Sequence, residues 1–303
     1  WGAEVFPGSS LPNAMVQVSP VTKFHSGAGY QYEDSVIYGF THTNKGHWNL
    51  CHIPLLPVTG TPTPGDYCSP FSHERESAAP GYYQVFLDRY GVDAQLSSTL
   101  RCAFHKYTYP AGAAASLLAD LQRSNEHVRA WDIRKEGDNV FAGWQQTGEK
   151  MYFYAVANRP VTGIEPVVEG DREVRIVRFG EGDGALELRI GFSFVSEKNA
   201  RENLEAEMLG KSFAEVRSEA TATWNDLLGR IRVEGGTERE KGLFYSSLYR
   251  SFLWPALRSD VNGEFTDVDG KVINPGFRYY TGPSYWDDYR NKLILLGMLA
   301  PDV

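Results

Sequence analysis

Glu187–Val195 reads Glu-Leu-Arg-Ile-Gly-Phe-Ser-Phe-Val, and just beyond it the hydrophobic period changes. Within that stretch apolar residues alternate with others, the period of a strand with one face in a core. From Lys198 to Ile231 the apolar residues are Leu204, Met208, Phe213, Val216, Ala220, Trp224, Leu227, Leu228 and Ile231. Most steps are three, four or seven residues, the stripe of an amphipathic helix. Gly210 is where that helix bends or splits. The switch near Ser196 therefore separates a β-rich part from a helical part.

The same reading extends outward in both directions. Upstream, Gly81–Leu87, Leu100–Tyr109 and Met151–Ala157 are short aromatic and β-branched runs separated by Gly, Pro and Asp clusters. Such runs predict an antiparallel sandwich. Pro57–Pro64 (PVTGTPTP) reads as a loop, because proline donates no ladder hydrogen bond. Downstream of Gly235-Gly236, Thr237 is placed to cap a helix carrying Glu238 and Glu240 in its first turn. Leu243, Phe244, Leu248 and Phe252 give that helix its apolar face, and Pro255 follows its end. Asn262-Gly263 and Asp269-Gly270 are turn signals. Ser284 opens a last helix through Tyr285, Tyr289, Leu293, Leu296 and Leu299. The organisation expected is a β-sandwich over 1–197, a helical linker over 198–235 and a helical domain over 236–303.

Composition narrows the classes of partner. The 303 residues carry 30 Lys and Arg against 38 Asp and Glu, a net charge of −8, which argues against nucleic acid. No apolar run reaches the roughly 18 residues of a membrane-spanning helix. Aromatic residues at 13% and 30 glycines suit a turn-rich β protein and surfaces that stack on sugar rings. Cys51, Cys68 and Cys102 lack zinc-ribbon spacing. A Cys51–Cys68 disulfide is open to an exported protein, and idle thiols are the plainer reading. The chain begins Trp1-Gly2-Ala3 without Met or leader and ends on an apolar helical stretch, so truncation at both ends is expected.

Several clusters carry chemistry. Asp260, Glu264, Asp267 and Asp269 fit two turns better than a calcium loop, whose glycine must stand sixth. His73-Glu74 offers an acid–base pair with no nucleophile near it. His42, His47 and His52 are spaced five and five, which matches no zinc motif. Around them, Trp48 with His47 and Asn49 reads either as a sugar-facing loop or as core packing. Trp286-Asp287-Asp288-Tyr289-Arg290 is the sharpest constellation. Asp287 and Arg290, three apart, share a helix face. Carboxylate and guanidinium grip vicinal hydroxyls and an indole stacks on a pyranose. A surface ion pair beside a packed Trp is the alternative.

These residues resemble glycoside hydrolase family 92, the bacterial calcium-dependent exo-α-mannosidases. The resemblance rests on Val5-Phe6-Pro7-Gly8, Met15-Val16-Gln17-Val18-Ser19-Pro20, Tyr38-Gly39-Phe40-Thr41-His42-Thr43, Phe71-Ser72-His73-Glu74 and Pro80-Gly81-Tyr82-Tyr83. Phe194-Val195-Ser196 with Asn199-Ala200, then Tyr245, Leu248, Tyr249 and Ser251, and finally Trp286-Asp287, Tyr289 and Arg290 continue it in order. Asn44–Asn49 departs from the family's Ser-Gly-rich loop, so linkage preference stays open. Lys45 in that loop reads as a contact for an anionic sugar group or as a solvated surface lysine. Trp1–Val5 and Pro12-Asn13-Ala14 depart as well.

The resemblance implies a β-sandwich N-terminal domain followed by linker helices and the incomplete start of an (α/α)6 barrel. It implies inverting, Ca2+-assisted removal of terminal α-mannose from a mannose-containing glycan, as in N-glycan degradation, in the periplasm or outside the cell. The acid, the base and most calcium ligands lie beyond Val303 in the family, so no catalytic residue and no metal ligand is assigned here. The chain alone is then expected to be inactive and to need the missing C-terminal part of its own barrel. Trp286, Asp287 and Arg290 become the expected mannose subsite, with His47, Trp48 and Asn49 reaching over from the sandwich and His42 behind them. A non-catalytic carbohydrate-binding module and an inverting carbohydrate phosphorylase are the rival readings.

Overall fold

The computed structural model describes residues 5–45, 48–182, 184–281 and 285–301. Among them, seven strands form one antiparallel sheet in the spatial order Ser9–Ser10, Gln17–Val21, Gly39–Thr41, Leu55–Val58, Ser116–Ala119, Arg172–Phe179, Val161–Glu169. Eight form a second, in the order Ala130–Lys135, Val140–Gln146, Lys150–Ala157, Leu186–Ser193, Cys102–Thr108, Val92–Ser98, Tyr82–Leu87, Glu76–Ala79. Alternation decides which side chains face inward. In Lys150–Ala157, Met151, Phe153, Ala155 and Ala157 are buried and the residues between them are not. They join Phe40, Leu117, Ile176 and Phe192 in one core shared by both sheets, the arrangement of a sandwich.

Leu55–Val58 corrects the loop expected at Pro57. This strand is central, with Pro57 opposite Leu117. An imide cannot enter a hydrogen-bonded pair, so that pair is the non-hydrogen-bonded kind. The nitrogen side of Pro57 then faces Gly39–Thr41, where the register holds only Phe40 against Leu55. The proline sits past the end of that ladder and costs no bond.

The long helix splits as its glycine allows. α1 (Glu197–Glu207) is capped by Ser196, and α2 (Phe213–Leu228) opens on a capping box of Ser212 and Glu215. Between them Gly210 has φ +92°, a left-handed conformation that glycine adopts without strain. Leu204, Met208, Phe213 and Val216 cover Tyr82, Cys102 and Phe104 on the outside of the eight-stranded sheet. Contact there is close: a Cβ on Gly191 would lie 2.1 Å from the Ala200 carbonyl oxygen.

α3 (Glu238–Ser251) carries the capping box of Thr237 and Glu240. Trp224 and Leu227 of α2 pack with Leu248, Phe252, Leu253, Leu296 and Phe6 in a separate cluster. Phe265–Thr266 pairs with Val272–Ile273 around the Asp269-Gly270 turn. The last helix differs from expectation. It is broken into α4 (Tyr285–Asp288) and α5 (Lys292–Leu299), with Tyr289–Asn291 as a turn. Leu296 is buried and Leu299 packs beside it, while Leu293, Ile294 and Met298 are exposed. The three cysteines are free thiols, so the Cys51–Cys68 bridge is not formed. No described helix is long and apolar enough to cross a membrane.

Candidate functional site at the seam between sandwich and helices

Backbone capture joins the two parts. Asn13 donates its N–H to the Phe252 carbonyl and its Nδ2 to that of Pro255, and Gln17 Nε2 donates to Leu253 O at 2.7 Å. Ala256–Leu257 pairs with Tyr280–Thr281, the strand that leads toward α4. Asn44 Nδ2 reaches Gln17 O at 3.5 Å. Asn44–Lys45 pairs with Trp48–Asn49 in a short hairpin that carries Trp48.

A second joint is ionic. Asp260 is buried and accepts from Ser193 Oγ (2.6 Å), Asn199 Nδ2 (2.9 Å) and Asn203 Nδ2 (2.7 Å). Burial raises its carboxyl above the usual range, partly offset by those donors. Arg101 donates to Ser259 O and to Glu207 of α1. Glu264 accepts from Asn199 and Asn262 at 2.9 and 3.0 Å. Both turns expected here are formed, Gly263 donating to Asp260 O and Gly270 to Asp267 O, and Asp260 and Glu264 serve besides as fasteners, while Asp267 caps its own turn.

The predicted site residues divide. Trp48 (55% exposed) and Trp286 (78% exposed) present their rings to the surface. Arg290 is exposed but lies in the turn after α4, so the helix face expected to pair it with Asp287 does not continue to it. The Asp287 side chain and His47 lie outside the described residues. Asn49 does not reach outward. It is 2% exposed, its Oδ1 accepts from Cys51 N, its Nδ2 donates to Thr41 Oγ1, and its carbonyl accepts from Asn125. It anchors the hairpin because a buried amide must satisfy both ends. His42 is likewise interior, its Nε2 3.2 Å from that of His105, which in turn meets the Tyr107 hydroxyl. Desolvation lowers His42 to about 3, so it is neutral at physiological pH. Next to the expected constellation, Asp288 is buried and paired with Lys292 at 3.1 Å, one carboxylate oxygen having no partner.

Sequence reading missed another group. Glu126, its side chain 40% exposed, accepts from His52 Nε2 (2.9 Å) and Thr147 Oγ1 (2.7 Å). The His52 hydrogen bond, with the Thr147 one, holds Glu126 down at about 2 despite partial burial. Arg258 lies over the Phe194 ring at 3.6 Å and bonds Glu149 at 2.8 Å. Glu126, Thr147 and Arg258 are spread over more than a hundred positions, and no local motif links them. His73, by contrast, is pinned: Nδ1 lies 2.5 Å from Glu76 and Nε2 2.6 Å from Tyr32 O.

The sandwich is thus fastened to the helices by polar bonds, with Trp48 and Trp286 exposed. The chain belongs to glycosyl hydrolase family 92: the family's N-terminal domain matches residues 1–203 and its catalytic domain residues 199–303. It is similar to the family GH92 α-mannosidase BT3965 from Bacteroides thetaiotaomicron, with TM-score 0.91 and 26% identity over 99% of this chain and 45% of that one. The GH92 glycosyl hydrolase ccman5 is 28% identical at TM-score 0.88, covering 99% of this chain and 46% of that one. An uncharacterized secreted glycosidase of Arthroderma benhamiae is 25% identical over 87% of this chain and 41% of its own length. The chain spans less than half the length of these relatives.

Proposed function

We propose that this chain is the sandwich and first catalytic-domain segment of an exo-acting α-mannosidase that removes terminal mannose with inversion. The observation that carries the reading is the 26% identity to a GH92 α-mannosidase over 99% of the chain, with both family domains matched in order. On this reading the helices after Gly236 begin an (α/α)6 barrel completed by further chain. Trp286, Asp287 and Arg290 hold the mannosyl ring, and Trp48 covers it from the sandwich. The acid and base come from the rest of the barrel, on opposite faces of the sugar with space for water between them. The exposed Leu293, Ile294 and Met298 pack against that remainder. The protein works in the periplasm or outside the cell on mannose-bearing glycans.

Calcium, implied by the family, finds no ligand set here. Among the described residues no group of three or more His, Cys, Asp or Glu could hold a metal ion. On this reading its ligands come from the remainder of the barrel.

The test is hydrolysis of an α-mannoside by the full-length protein, followed by NMR of the first-formed anomer. β-Mannose is expected, with activity lost to chelator and restored by calcium. Release of α-mannose, or turnover that needs phosphate, would replace the reading.

A further inference from the structure

The sandwich carries a cavity of about 470 Å³, walled by residues 22–25 and 33–36 with Tyr38 and Arg123. Cavities of this order hold small-molecule ligands. A guanidinium dominates its chemistry. Arg123 lies over the Phe24 ring at 4.3 Å and the Tyr38 ring at 5.1 Å, held against two aromatic faces. Among the described residues its side chain makes one hydrogen bond, Nη1 to the Tyr67 hydroxyl at 3.3 Å, and no ion pair. Two carboxylates share the lining. Asp34 spends one oxygen, Oδ2, on the Thr22 hydroxyl at 2.7 Å. Glu33 and Lys23 are exposed, and among the described residues neither side chain has a hydrogen bond or an ion pair. The cavity is also tied to the Trp48 hairpin. Asn49 N donates to Gly27 O at 2.9 Å, and Asn125 accepts from His25 N on Oδ1 (2.7 Å) while donating Nδ2 to Asn49 O (2.6 Å). Gly29 O accepts from Thr22 N and Lys23 N at 2.8 and 3.2 Å, which closes the loop on itself. The loop that lines the cavity is thus the loop that holds the foot of the hairpin.

We infer that this cavity is a distal glycan subsite, which takes sugar residues of an extended substrate beyond those held at Trp286 and Trp48. The inference rests on the mannosidase reading for its sugar and deepens it, since the substrate class becomes a long or branched oligomannoside. Two fixed cations, Arg123 and Lys23, stand against two carboxylates, Asp34 and Glu33, and leave the lining without net charge. An ionic ligand therefore gains no net attraction by entering. An apolar ligand would desolvate all four charges without replacing their hydrogen bonds. Sugar hydroxyls both donate and accept, so they satisfy the free carboxylate oxygens and the unspent guanidinium N–H groups together. None of these residues belongs to the Trp286 constellation, so the cavity adds contacts from the sandwich alone.

The experiment uses the full-length protein and two substrates, an aryl α-mannoside and a branched high-mannose oligosaccharide of mixed linkage. Only the second is long enough to reach a distal subsite. In Glu33→Gln and in Arg123→Lys, the ratio of kcat/KM for the oligosaccharide to that for the aryl mannoside is expected to fall about fivefold or more, the worth of one hydrogen bond. The fall should appear in KM, because contacts remote from the cleaved bond bind ground state and transition state alike. Arg123 also packs on two rings, so its variant is read beside its melting temperature; Glu33 is exposed and without partners, so Glu33→Gln tests the cavity with the fold intact. An unchanged ratio in Glu33→Gln and Arg123→Lys, or a fall confined to kcat, would overturn the subsite and leave the mannosidase reading standing. A wild-type protein that cuts neither substrate would remove the mannosidase reading, and saturation-transfer NMR with the same oligosaccharide then decides the cavity. Signals lost in the two variants would keep it, and signals absent from wild type or unchanged in the variants would overturn it.

Discussion

Asp260→Ala removes the acceptor on which three buried donors converge, and its cost follows from who is left without a partner. Ser193 Oγ loses a 2.6 Å bond but still accepts from Val195 N. Asn199 Nδ2 keeps Glu264 at 2.9 Å. Asn203 Nδ2 keeps the Phe192 carbonyl at 2.7 Å. None of the three is wholly orphaned, yet each gives up a bond to a charged group, about 1.5–3 kcal/mol apiece. Relief of the carboxylate's own burial, visible in its raised pKa, returns part of that. The net expectation is about 2–3 kcal/mol, the upper part of the range for single substitutions. Asp260→Asn keeps the shape and one good acceptor, and should cost about half as much. The loss should appear first as local opening. Hydrogen exchange should accelerate in α1 and around Ser259–Phe265 before the sandwich strands respond, and the urea midpoint should fall. A loss below about 1 kcal/mol with unchanged exchange in α1 would refute the account of Asp260 as a fastener.

Three further expectations are simpler. His73 faces two acceptors, Glu76 and the Tyr32 carbonyl, so only the imidazolium satisfies both; the Glu76 bond raises its pKa. Its contribution is therefore fully present below about 6.5 and lost as the pH rises through the higher folded value; unfolding of wild type and His73→Gln across pH 5–9 should converge at the alkaline end, and a constant difference would refute it. Gly191→Ala should cost about 3 kcal/mol or more, since backbone of α1 must move to admit the methyl; an unchanged melting temperature would show that the helix yields freely. Trp224→Ala should cost about 3–5 kcal/mol, because Trp224 is 1% exposed and its Nε1 donates to Ser10 O at 2.7 Å; calorimetry measures it, and a change under about 1 kcal/mol would contradict its place in the second core.

What was legible in the sequence was whatever local chemistry determines. Alternation in Met151–Ala157 located a strand, and Thr237 with Glu240 located a helix start, because caps and pleats are decided by neighbours. Pro57 misled because the ladder that spares it belongs to residues seventeen and sixty positions away. The turn at Tyr289–Asn291 was invisible to periodicity, since Tyr285, Tyr289, Leu293 and Leu296 keep helical spacing across it. At the site, the exposed indoles of Trp48 and Trp286 were readable as residue types in loop and helix contexts. Asn49 was read as reaching outward because short-range polarity says nothing of whether a polar group is spent inside, and His42 behind it is buried as well. Glu126 left no local signal at all, since its partners His52 and Thr147 lie 74 and 21 positions away.

The polar fastening between the sandwich and the helices has an evolutionary consequence. Hydrogen bonds tolerate little rotation, so Asp260, Arg101 and Gln17 act as keys that set the angle at which one body meets the other. The Trp48 hairpin is held differently, since Asn49 at its foot bonds Thr41 and Asn125, both of the sandwich. Substitutions in that hairpin can accordingly accumulate without turning one body against the other.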